Sequence, residues 1–183
     1  MHFRFNFEKS LQAAGVLLHL EEGRMPRMRL LKLLYIADRE WLAEAAHPIT
    51  GGRAHAMKCG PVLSDVYSLI KGEATRSSEW SAHIQTRGYA VKLIRDPGRG
   101  KLSKEEVEKL TEISERCRNR DQWDLSDLIH EFPEWRRNLP AGDETSGLIS
   151  WEDVLKAQGK AELVEAAAEQ EAARRYLDEV FGE

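Results

Sequence analysis

The stretch PRMRLLKLLYIADREWLAEAA, running from Pro26 to Ala46, decides the fold. Leu30, Leu34, Ala37 and Trp41 form one stripe by steps of four, three and four, which is helical spacing. Leu31, Leu33, Ile36 and Leu42 add apolar surface on the neighbouring faces. A helix apolar on most sides is buried on most sides. The rest of the chain is therefore expected to wrap this central core helix. Pro26 is expected in its first turn, where a missing N–H costs nothing.

Working outward, Leu11, Ala14 and Leu18 recur at helical spacing between Glu8 and Glu22, and Gly23 separates that helix from the central one. Downstream, Pro48, Gly51 and Gly52 end the core helix, and the alternation from Arg53 to Lys58 predicts a half-buried strand. Gly60 and Pro61 lead into a short amphipathic helix carrying Val62, Val66, Leu69 and Ile70, stopped by Gly72. Trp80, Ala82 and Ile84 alternate with polar residues, as do Tyr89, Val91 and Leu93 after Arg87 and Gly88. Gly88 can take the positive φ of a tight turn, so this is the clearest hairpin. Ser103 with Glu106 is a capping-box signature for a helix through Val107, Leu110, Ile113 and Cys117. Asp124 and Asp127 are read as further caps before Leu128, Ile129 and Phe132, and Pro133 restarts the helix ahead of Trp135. Leu139 to Ile149 reads as a polar loop, and Ser150 as an N-cap. Lys160 to Phe181 is an Ala- and Glu-rich helix whose stripe, Leu163, Ala166, Gln170, Ala173, Leu177 and Val180, alternates steps of three and four. The expected class is mainly α (α+β), a helical core with a small antiparallel sheet or hairpin. Residues 1–158 form the domain, and the helix of 159–183 is the one candidate appendage.

The 183 residues are 42% hydrophobic and 32% charged, a balance that suits one domain with a core of its own. The net charge of −4 disfavours a protein that coats nucleic acid. It also conceals an asymmetry: residues 1–60 hold 9 Lys and Arg against 6 Asp and Glu, whereas residues 151–183 hold 4 against 9. Two differently charged faces suit two partners. No apolar run has the roughly 18–20 residues of a membrane span, the N-terminus MHFRFNFEKS lacks the apolar centre of a secretory signal, and the expected location is cytoplasmic. Cys59 and Cys117 are too few for a disulfide framework.

Templates for chemistry fail in turn. His130 and Glu131 begin an H-E pair, but Glu134 stands where the zinc-protease helix needs histidine. The six histidines are dispersed, and neither cysteine belongs to a C-x-x-C, so no metal site is expected. Gly98, Gly100 and Lys101 imitate a phosphate loop until Leu102 takes the place of its Ser or Thr. Cys117 lies on an apolar stripe and reads as core. Cys59, beside Lys58 and ahead of a helix start, is not expected to be catalytic. No catalytic residue and no cofactor is expected. Of the five tryptophans, Trp135 is the one expected nearest a surface, because its segment is dense in charge.

Three blocks, taken together, resemble the Panacea domain of SocA-like antitoxins: KLLYIADR from Lys32 to Arg39 with Glu40 and Trp41; Pro48 to Gly51 with Ala56 to Val62; and LSDLIHEFPEW from Leu125 to Trp135. The turn and cap DPGRGKLS, Asp96 to Ser103, and the helix start at Ile149 to Val154 are similar to family features. Cys59 departs from the aromatic or histidine usual before the Gly-Pro, and Gly52 from a common Asp. The resemblance implies a mainly helical domain that binds and neutralises the toxin of a two-gene pair. It also implies an adaptor activity, delivery of the bound toxin to the ClpXP protease.

Neutralisation calls for a protein interface with an apolar or aromatic centre and a polar rim. The candidate partner-binding residues are Met57, Lys58, Gly60 and Pro61, with backbone exposed around the last two, and Phe132 and Trp135 in the second segment. The alternative is that Gly60 and Pro61 only make a turn and the aromatics only fill the core. For adaptor docking the candidates are Tyr176, Leu177, Val180 and Phe181 on the terminal helix. The rival reading is a transcriptional regulator. A core helix, a short helix and a hairpin follow winged-helix order, and Arg24, Arg27, Arg29 and Lys32 concentrate positive charge. Asp65 and Glu73, at the helix that would read bases, argue against DNA.

Overall fold

The computed structural model describes residues 1–141 and 144–181. Two helices open the chain, α1 (Phe7–Leu20) and α2 (Arg27–Ala45), joined by a short strand β1 (Arg24–Pro26). β2 (Ala54–Met57) and β3 (Gly60–Leu63) form a hairpin, and α3 (Ser64–Lys71) and α4 (Ser77–Ser81) follow. A second hairpin, β4 (Ile84–Arg87) and β5 (Ala90–Leu93), precedes α5 (Lys104–Arg116), α6 (Gln122–His130) and α7 (Pro133–Asn138). β6 (Ser146–Ile149), α8 (Trp151–Ala157) and α9 (Leu163–Phe181) complete it. The described residues thus form a mixed α+β fold with a helical majority and two antiparallel three-stranded sheets, ordered β1-β5-β4 and β3-β2-β6.

As its all-round hydrophobicity requires, α2 is the centre. It packs against α1, α5, α6, α8 and β3. Its buried residues include Leu30, Leu31, Leu33, Leu34, Tyr35, Ile36 and Leu42. Each such side chain contributes roughly 1.5–3 kcal/mol by leaving water. Its charged residues are buried with them: Lys32 and Asp38 are at most 1% exposed. Asp38 accepts hydrogen bonds from the Thr50 amide at 2.9 Å and from the Thr50 hydroxyl, which fixes the chain just after the helix. Burial pushes the Asp38 carboxyl up to about 7. Glu134, fully buried on α7, accepts from Arg39 Nε at 2.6 Å and from the Tyr35 hydroxyl at 3.1 Å, tying α7 to α2.

Several elements depart from the sequence expectation. Pro26 closes β1 and stands as the N-cap of α2 rather than in its first turn. Gly60 to Leu63, expected at the start of a helix, is a strand, with His55 opposite Val62, and the helix begins only at Ser64. Trp80 lies in α4, so the second hairpin starts at Ile84. The N-cap of α6 is Asp121; Asp124 is the reciprocal third residue of that capping box. The expected loop from Leu139 to Ile149 ends in β6, which pairs with β2 as its second neighbour, Ala54 opposite Ile149; positions 142 and 143 of that loop lie outside the described residues. Three-residue β1, invisible to periodicity, pairs with β5. The Ser103–Glu106 capping box, the restart at Pro133 and the Ser150 cap are all present.

The terminal helix meets the domain through Leu163, the first residue of its three-four stripe, and beyond it on a different face. Ala167 and Glu171 are buried, and Leu163 and Val164 are half-buried. Glu171 accepts from the Arg4 amide and from Arg175 Nε, both at 3.1 Å, and Arg175 Nη2 donates to the His2 carbonyl at 2.5 Å. Ala166, Gln170, Ala173, Leu177 and Val180 face solvent.

Candidate protein-binding surface

The two segments singled out in the sequence meet in space. The turn between β2 and β3, residues 57–60, sits on α6 and α7, and side chains from three helices hold its backbone. Lys32 of α2 donates from Nζ to the Cys59 carbonyl. Ser126 of α6 reaches the same oxygen at 3.4 Å, and Trp135 of α7 donates from Nε1 to the Met57 carbonyl at 2.9 Å. Gly60 has φ +101°, and a Cβ there would stand 3.1 Å from Lys32 Nζ and 3.5 Å from Ile129 Cγ2. Glycine is thus required twice, by backbone conformation and by the ammonium packed beneath it. Burial lowers the Lys32 pKa to about 8.

The candidate residues divide into those that shape this surface and those that face solvent. Gly60 and Pro61 are buried, which corrects the expected exposure of their backbone: strand pairing, Pro61 opposite Ala56, covers it. Trp135 is buried too, 9% exposed, contrary to its expected place nearest a surface. Its ring stacks on His130 with centroids 4.1 Å apart, and its N–H is spent on the turn. The exposed tryptophan is Trp123, at 59%. Phe132 is half-buried with the Arg39 guanidinium 4.0 Å from its ring centre. Met57 is half-buried, and Lys58 and Cys59 are exposed at the turn. Beside them Glu131, Arg136 and Arg137 are exposed; Arg136 donates to the His130 carbonyl at 2.8 Å and pairs with Glu131 at 2.7 Å. His130 Nε2 is buried without a hydrogen-bond partner.

Sequence reasoning missed Lys32, Ser126 and His130 as parts of this surface. A signal for Lys32 was present: a lysine inside a run of leucines that would otherwise bury all its neighbours is a lysine with a buried acceptor. Nothing in the sequence names that acceptor, because it is a backbone carbonyl 27 residues on.

The basic cluster read from Arg24, Arg27, Arg29 and Lys32 does not form one patch. Arg29 is buried, paired with Glu21 at 2.5 Å and donating to the Cys117 and Arg120 carbonyls. Lys32 is buried on the turn, and Arg27 lies over the Tyr89 ring at 5.4 Å. Asp65, on the helix a winged-helix reader would use, pairs with Arg53 at 3.0 Å. Among the described residues no group of three or more His, Cys, Asp or Glu gathers where it could hold a metal ion, and no helix is long and apolar enough to cross a membrane.

A helical α+β domain built round one buried helix, with a small sheet clamped to it, is the class this geometry defines. The family model described as antitoxin SocA-like, Panacea domain, matches residues 30–136, from the first leucines of α2 into α7, and so takes in both halves of the clamped turn. The chain belongs to that family. No significant match was found among curated proteins or among solved structures.

Proposed function

We propose that the protein is an antitoxin that neutralises its cognate toxin by direct binding through the turn of β2 and β3 and the adjoining ends of α6 and α7. The observation that carries this reading is the convergence of two segments distant in sequence on one surface, inside the span matched by the antitoxin family model. Gly60, Pro61, Phe132 and Trp135 shape and stiffen the surface, while Met57, Lys58 and Arg136 are the groups available to touch a partner. A preorganised turn loses little entropy on binding, which favours affinity. On this surface Arg136 is paired with Glu131 and Arg137 with Asp153, which leaves Lys58 as the cation best placed to meet an acidic group of the toxin. No catalytic group is needed for this role.

Co-expression with the product of a small adjacent gene tests it. The pair should co-purify, and Lys58→Glu with Arg136→Glu should weaken the complex by on the order of tenfold or more through charge reversal. A toxin bound equally well by that double variant would remove the surface, and a neighbour that neither kills nor binds would remove the antitoxin reading.

Delivery of the toxin to ClpXP is the finer reading, favoured by the exposed end of α9. It needs a second contact, and Tyr176, Leu177, Val180 and Phe181 offer four apolar side chains, all more than half exposed. Truncation after Arg175 leaves the packed first turns of α9 in place. Retained toxin binding with lost degradation supports delivery; unchanged degradation ends it.

A further inference from the structure

The unpartnered side of α9 carries a heptad pattern. Ala166, Ala173 and Val180 occupy d positions and Gln170 and Leu177 a positions of one seam, and all five face solvent. The domain-facing residues Val164 and Glu171 lie more than a third of a turn away round the helix axis, while Leu163 at a and Ala167 at e mark where the domain reaches the start of the seam. A partner helix on the seam beyond Ala167 would therefore leave the contacts of α9 with its own domain intact.

The flanking positions say which partner fits. In a parallel pair of identical helices, each g residue meets the e residue five positions on in the other chain. Here Glu169 at g would meet Arg174 at e, once on each side of the seam, and Tyr176 at g would meet Phe181 at e. An antiparallel pair with its Gln170 and Ala173 layers facing would instead set Glu169 against Tyr176 and Arg174 against Ala167, and so would form neither the charge pair nor the aromatic contact. Gln170 puts a single polar residue at an a position, where polar residues specify register and oligomer state at some expense of stability. Charge and aromatic contact thus select the parallel arrangement.

We infer that α9 pairs in parallel with α9 of a second copy of this chain, along a seam from Ala166 to Phe181. The seam covers only about two heptads, so the dimer is weak and forms in proportion to concentration. The inference does not depend on the antitoxin reading. It assigns the exposed apolar end of α9 to a second copy in the free protein, so that any protease contact there must compete with dimerisation.

Sedimentation equilibrium of the full chain should give a concentration-dependent monomer–dimer equilibrium. Leu177→Glu with Val180→Glu should be monomeric throughout, with the helix content and melting temperature of the dilute, monomeric wild type. Glu169→Arg should weaken dimerisation about three- to tenfold by facing Arg174 with a like charge, and adding Arg174→Glu should restore it. In a Cys59→Ser background, Val180→Cys should cross-link under mild oxidation, since d residues face each other in a parallel pair. A chain monomeric at every accessible concentration overturns the proposal, as does a dimer indifferent to Leu177→Glu with Val180→Glu, or one in which the introduced thiols fail to cross-link. ClpX bound through these residues by a chain that never dimerises would assign the face to the protease instead.

Discussion

Two helices of this protein, α2 and α9, have the same length, 19 residues, and opposite fates. α2 is surrounded, and even several of its charged groups are spent inside: Lys32 on a turn, Asp38 on Thr50, and Arg39 on the buried Glu134. α9 touches the domain through its first turns and through Glu171 and Arg175, and leaves its stripe beyond Leu163 in water. The difference teaches that a repeating apolar pattern alone does not say what it packs against. On α2 the apolar residues exceed one stripe and demand burial on several sides. On α9 the stripe is narrow and rich in alanine, and a single additional helix would cover it.

The comparison can be broken most severely at Glu134. Replacing it by alanine leaves Arg39 without its ion pair and the Tyr35 hydroxyl without an acceptor, and should cost on the order of 3–5 kcal/mol in urea unfolding. Asp38 should impose a pH slope of up to about 4 kcal/mol. Its folded pKa, about 7, is raised above the ordinary 3.8, so the folded protein holds a proton that the unfolded chain has lost between those values. The contribution is fully present below about pH 4 and is lost as pH rises through 7. Asp38→Asn should unfold with that slope missing.

Lys32 sharpens the contrast at the other end of the pH scale. Its folded pKa of about 8 lies below the ordinary 10.5, so its contribution is fully present only above the unfolded value and is lost as pH falls through 8. Wild type should gain up to about 3 kcal/mol relative to Lys32→Met between pH 8 and 10.5, read by denaturant midpoints across that range. The smallest effects belong to α9. Ala167→Glu, at a buried position, should cost about 1–3 kcal/mol, whereas Leu177→Glu should change monomer stability by less than about 0.5 kcal/mol. Equal costs at the two positions would erase the distinction between the packed face and the free one.

How much of this was legible beforehand depended on the range of the interaction concerned. The core role of α2, the Ser103–Glu106 box and the restart at Pro133 rest on neighbours within a few residues, and the sequence displays them directly. β1 and β6 were not legible. Each is held by a strand more than sixty residues away, β1 by β5 and β6 by β2, and is too short to show a period of its own. The burial of Trp135 was misread for the same reason: charged neighbours suggested a surface, but its N–H is bound to a carbonyl 78 residues away. Both halves of the candidate surface were named from the sequence, while Lys32, Ser126 and His130, which complete it, lie between or beneath them.

By itself, the sequence determined that a leucine-rich helix would sit at the centre, where its neighbours would break and cap, and through three motif blocks which family the chain resembles. Local sterics, hydrogen-bond capping and hydrophobic periodicity act over one or two turns of chain, so they can be read one segment at a time. Only the tertiary structure decided that the two candidate segments are one surface, that Lys32 and Trp135 serve its backbone, and that the seam of α9 points away from the domain. Those outcomes depend on which buried polar group finds which partner, and that choice is made across the whole chain at once because an unpaired group in the interior costs too much to leave.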